Sequence, residues 1–79
     1  MNAPKKSKIP ALTRVKSSSI TEVGHEGDTM YVRFAAGNLY RFPGISAKQY
    51  QDALAAKSIG SHVSNFIIQK VKGIPVREE

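Results

Sequence analysis

The sequence predicts an α+β fold in which a three-stranded antiparallel β-meander packs against one bent or two short C-terminal helices. Three observations carry that expectation. Thr29 to Ala35 alternates, with Met30, Val32 and Phe34 on one side and Tyr31, Arg33 and Ala35 on the other, which is the period of a strand with one buried face. Gly37-Asn38 follows as a turn signal and leads into Leu39 to Phe42, where the rings of Tyr40 and Phe42 stand two residues apart. Ser46 and Gln49 then have the spacing of a capping box, in which the serine oxygen and the glutamine side chain each satisfy a backbone N–H at a helix start.

Residues 1–13 read as a flexible basic arm, because Pro4 and Pro10 bracket lysines and serine with only Ile9 to bury, too little to offset the entropy of ordering. A single domain over residues 14–73 follows, and residues 74–79 form a tail. Val15, Ile20 and Val23 lie among serines and threonines between Arg14 and Gly24 and supply the first strand. Gly27-Asp28 turns the chain into the second strand, and Leu39 to Phe42 returns as the third. Ile45, just before the Ser46 cap, can pack on Tyr50 as a hydrophobic staple. Ala47 to Ala56 is rich in helix formers, with Tyr50 and Leu54 on one stripe. Ser58 to Gly60 should break or bend this helix. A second one is expected from His62 to about Lys70, capped by Ser61, with Val63, Phe66 and Ile67 turned to the sheet and Gly73 and Pro75 ending it.

The length of the hairpin loop decides where the rings point. A three-residue loop of Ala36, Gly37 and Asn38 puts Tyr40 and Phe42 on the face of Met30, Val32 and Phe34, whereas a two-residue loop flips them beside Tyr31 and Arg33. Leaving that much aromatic area in water, at about 25 cal/mol per Å², is costly for a small domain, so the three-residue loop is favoured. The expected core is then Phe34, Tyr40, Tyr50, Leu54, Val63, Phe66 and Ile67.

Seventy-nine residues suffice for one modest core. The chain has no cysteine, so there is no disulfide framework and no thiolate. No apolar run approaches the roughly 18 residues of a membrane span, and the basic start is not followed by an apolar signal-peptide core, so a cytoplasmic protein without membrane contact is expected. Twelve basic against six acidic residues give a formal charge of +6. Lys5, Lys6, Lys8, Arg14 and Lys16 precede the first acid, and this asymmetry favours polyanions through counterion release.

No catalytic or metal-binding pattern stands out. His25, Glu26 and Asp28 read as an acidic turn, since a hydrolytic metal site needs three protein ligands at defined spacing. His62 stands near Ser58 and Ser61, but serines beside a helix start usually cap it. No catalytic residue, metal or cofactor is assigned.

The order of the elements and the residues they carry resemble the KTSC domain family, a small domain found at the C-terminus of some lysyl-tRNA synthetases and as a free-standing protein in bacteria and their phages. Its features are matched by Ser18, Ser19 and Ile20, by Gly24, by Tyr31 to Phe34 running into Gly37, and by Tyr40-Arg41-Phe42 followed by Pro43. Tyr50, Ala56, Ser58 and Gly60, then Asn65 and Ile68, complete the match, which spans about residues 16 to 70. The second aromatic of the family's Tyr-x-Tyr is Phe42 here, so a hydroxyl is lost, and Ser61-His62 stands where an aromatic commonly follows the glycine. The resemblance implies an RNA-binding role through the tRNA synthetase context.

Charge and resemblance together give the expected function, a small non-enzymatic accessory protein that binds RNA or another single-stranded nucleic acid. The expected contact residues are Tyr31, Arg33 and Arg41 on the polar sheet face, Lys16 on the preceding strand, and Lys5, Lys6 and Lys8 in the arm. Guanidinium groups fork onto phosphates, and a tyrosine offers a stacking platform for a base. The alternative is a protein-interaction module, such as a phage or mobile-element factor that binds and modulates a host protein with its sheet face or an edge strand.

Overall fold

A computed structural model describes residues 10–77. They form one antiparallel sheet of five strands in chain order: β1 (Thr13–Arg14), β2 (Ile20–Glu26), β3 (Thr29–Phe34), β4 (Leu39–Pro43) and β5 (Ile74–Pro75). Helix α1 (Ala47–Ala55), helix α2 (Ile59–Val63) and a π-helical stretch, Ser64–Ile68, connect β4 to β5. The α+β meander is as expected, but the sheet has two more strands than the three read from the sequence. Both additions are two-residue edges: β1 begins inside the expected arm, and β5 lies in the expected tail.

The two hairpin turns follow from glycine. Gly27, at φ 62°, occupies the first central position of a two-residue turn between the paired Glu26 and Thr29, and Asp28 after it keeps a negative φ. That pattern belongs to a type II′ turn, whose twist matches the strands it joins. Between β3 and β4, Gly37 N–H donates to the Phe34 carbonyl and Phe34 N–H to the Asn38 carbonyl, so the loop is Ala35, Ala36 and Gly37, the last at φ 105°. The loop has the expected three residues, displaced by one from Ala36–Asn38. The displacement moves the pairing by two and therefore preserves the faces. Met30 is opposite Phe42 and Val32 opposite Tyr40, all on the inner face.

Ile20, Val23, Met30, Val32 and Phe42 meet Ile45, Ala53, Ile59, Val63 and Ile67 in one buried cluster, with Phe34, Tyr40, Tyr50 and Val71 packed on its margin. The capping box forms as read: Ser46 Oγ accepts from Gln49 N–H at 3.2 Å, and Gln49 Oε1 accepts from Ser46 N–H at 2.9 Å. Of the expected core residues, Val63 and Ile67 are buried, Phe34, Tyr40 and Tyr50 are half-buried, and two are exposed. Leu54 is 37% exposed, because α1 approaches the sheet through the small side chain of Ala53 and turns Leu54 to the flank. Phe66 is 55% exposed, because Ile59, Val63 and Ile67, each four residues apart, hold the inner side and leave Phe66 to pack on His62 at 4.7 Å between ring centroids. The second helix also begins earlier than read, since Ser58 rather than Ser61 is its cap and accepts from Ser61 N–H at 3.3 Å.

Tyr50 joins α1 to two strands. Its ring stacks on His25 at 5.3 Å, and burial raises its pKa above the ordinary 10.0, opposed by a side-chain hydrogen bond with Thr13. A phenol with a raised folded pKa stabilises the fold fully below the unfolded value and loses that contribution as pH rises through the folded one. Melting temperature is therefore expected to fall above about pH 10, and Tyr50→Phe should flatten part of that fall. An unchanged alkaline profile in the variant would remove Tyr50 as a cause.

Candidate functional site

The helices pack on one face of the sheet only: Val23, Met30, Val32 and Phe42, the strand residues that join them in the buried cluster, all point to the same side. The opposite face is organised by cross-strand register into two rows. Gly24, Tyr31, Arg41 and Ile74 lie side by side in one, and Arg14, Glu22, Arg33 and Leu39 in the other. Gly24 makes room at the β1 end of the first row, since a Cβ there would come within 2.7 Å of Leu12 Cδ2 and 3.1 Å of the Ala11 carbonyl oxygen. Leu12 thus closes over the glycine beside Tyr31, and Tyr31 keeps a half-buried ring with Arg41 directly across.

The arginines differ in their engagements. Arg33 Nε donates to Glu22 Oε1 at 2.7 Å, and its Nη1 donates to the Gly37 carbonyl at 3.0 Å, so the cation is held along the sheet. A bulge between Ile20 and Glu22 sets this pairing: Thr21 is the extra residue, and its Oγ1 donates to the Arg33 carbonyl at 3.3 Å. Arg14 and Arg41 are exposed and have no ion pair among the described residues. The face carries these three arginines against Glu22 and, at its far end, Glu26.

Of the residues expected to contact nucleic acid, Tyr31, Arg33 and Arg41 are brought together on the open face. Lys16 is not: it follows β1 and lines a different groove with Lys57 and a series of serines. Lys5, Lys6 and Lys8 lie outside the described residues. The sequence reading missed Arg14, whose place beside Glu22 depends on a two-residue strand, and Lys57, which no local pattern marks.

His25 is in strand β2, not in an acidic turn, and its ring faces the helices. Its Nε2 lies 2.6 Å from the Ile45 carbonyl oxygen, which can only accept, so Nε2 carries the hydrogen. Among the described residues no group of three or more His, Cys, Asp or Glu side chains could hold a metal ion. None of their helices is long and apolar enough to cross a membrane.

The family model described as KTSC domain matches residues 16–70. A search of curated proteins finds no match to the chain.

Proposed function

The chain belongs to the KTSC domain family, and from that premise we propose that it is a small non-enzymatic accessory protein that binds RNA or another single-stranded nucleic acid on its open sheet face. One observation carries this reading: Tyr31 and Arg41 are cross-strand partners on a face without helices, and Arg41 has no ion pair among the described residues. An aromatic ring is a platform for any base, and a guanidinium beside it can fork onto a phosphate or stack. Arg14 extends the positive surface. Arg33, held by Glu22, serves to brace the face and contributes less to phosphate contact than Arg41. The basic N-terminal residues Lys5, Lys6 and Lys8 add a sequence-independent attraction.

The test is a titration of single-stranded RNA, single-stranded DNA and duplex at two salt concentrations, with the wild type and a Tyr31→Ala/Arg41→Ala variant. Loss of a stacked ring is expected to cost about 1–3 kcal/mol of single-strand affinity, with the melting temperature nearly unchanged because both side chains stand outside the core. Removing residues 1–9, which leaves β1 intact, should lower the salt slope by about 0.7 for each lysine that contacts a phosphate. Equal affinity in wild type and double variant at low salt would exclude this face.

A protein partner is the second reading, favoured by the 55% exposure of Phe66 on the helical layer. The wild type would then show no nucleic-acid affinity at low salt. A host protein bound in this way would be released by Phe66→Ser and retained by the sheet-face variant.

A further inference from the structure

Outside the sheet face, the described residues enclose a polar groove of about 340 Å³ between the loop that follows β1 and the junction of α1 with α2. Six of its ten lining residues are serines, two are the lysines Lys16 and Lys57, and none is acidic. Ser18, Ser19, Ser58 and Gly60, which lie far apart in the chain and carry much of its family resemblance, meet here. The sheet-face reading makes no use of them.

The hydrogen bonds of the groove divide its serines into two groups. Ser17 Oγ accepts from Ser19 N–H at 3.3 Å and lies 3.5 Å from Ser19 Oγ, and Ser58 Oγ accepts from Ser61 N–H at 3.3 Å, so the hydroxyls of Ser17, Ser19 and Ser58 are engaged within the walls. The hydroxyls of Ser18, Ser61 and Ser64 have no hydrogen-bond partner among the described residues, and neither lysine has an ion pair there. Gly60 sets the separation of the walls. A Cβ on it would stand 2.5 Å from Ser19 Oγ and 3.0 Å from Ser17 Oγ, so the missing side chain lets the two segments close on each other.

Unengaged hydroxyl donors and two ammonium groups without a carboxylate do not suit a cation, which needs anionic oxygen ligands. They suit a compact oxyanion, which accepts several hydrogen bonds at once and gains from charge-assisted ones. The geometry points to a phosphate-binding subsite that takes the terminal phosphate monoester of a nucleotide or of a nucleic-acid strand. The site is separate from the Tyr31–Arg41 face and does not depend on it.

Backbone amide NMR spectra of the full chain, recorded during titration with inorganic phosphate, test this directly. Saturable shifts are expected at residues 16–19 and 57–64, with affinity falling about tenfold, or about 1.4 kcal/mol, in Lys16→Gln/Lys57→Gln and unchanged in Arg41→Ala. Gly60→Ala should also weaken binding, and the lysine variant keeps the test independent of any effect of that change on folding. Absence of saturable shifts in the wild type, or equal shifts in the lysine variant, would overturn the subsite while leaving single-strand binding by the sheet face untouched. Two further arms separate the sources. Tighter binding of a 5′-phosphorylated than of a 5′-hydroxyl oligonucleotide, lost in the lysine variant, identifies a strand end. Equal binding of the two oligonucleotides, with a nucleoside monophosphate shifting the groove residues, identifies a free nucleotide.

Discussion

Phe42→Ala is expected to destabilise the domain by about 3–5 kcal/mol, the cost of removing a fully packed aromatic ring and leaving a cavity. The ring is 2% exposed and sits opposite Met30 in the middle of the inner face, within the cluster that joins sheet to helices. At about 0.05–0.15 kcal/mol per residue, a domain of 79 residues has a total stability of about 4–12 kcal/mol, so the variant should be largely unfolded or melt far lower. Phe66→Ala is the internal control. The same chemical change at a 55% exposed ring should stay within about 0.5 kcal/mol. Urea unfolding of both variants measures the contrast, and similar losses at the two positions would show that the helical layer packs differently.

Gly73→Val is the second large effect, expected at about 1–3 kcal/mol from overpacking. A Cβ at Gly73 would lie 2.7 Å from Phe42 Cε2, 2.8 Å from its Cζ and 3.4 Å from Tyr40 Cδ2. Phe42 is packed in the buried cluster that joins sheet to helices, so the chain leading into β5 is expected to lift. Hydrogen exchange gives a local readout, because the Val76 N–H donates to the Leu39 carbonyl at 2.9 Å and should lose its protection in the variant. Combined with Phe42→Leu, the glycine substitution should cost less than the sum of the two, as expected for residues in contact. Full additivity together with a protected Val76 amide would contradict the close approach.

The central hairpin and the first helix start were legible because their signals are local. Period-two alternation fixes the face of every residue once loop parity is known, and the Ser46–Gln49 box satisfies its own backbone donors within four residues. Strands β1 and β5 were not legible, since two residues have no periodicity and their pairing is decided by β2 and β4. Leu54 and Phe66 were misplaced because helical spacing marks a broad stripe, and the choice within it depends on how closely Ala53 lets the sheet approach and on the inward row of Ile59, Val63 and Ile67. At the candidate site, alternation together with the three-residue loop places Tyr31, Arg33 and Arg41 together. The engagement of Arg33 by Glu22 depends on a bulge that no residue type announces, and the groove of Lys16 and Lys57 is assembled from segments that only tertiary packing joins.

Among the described residues the sheet ends on both sides in strands of two residues, and one of the two in β5 is Pro75, which has no N–H to offer. An incoming strand would find too few free backbone groups to add itself, so the chain is guarded against edge-to-edge polymerisation although one face of its sheet carries no helix. Traffic with other molecules is thereby directed onto surfaces rather than along rims. At high concentration the protein should remain free of fibrils while its side chains stay available for reversible capture.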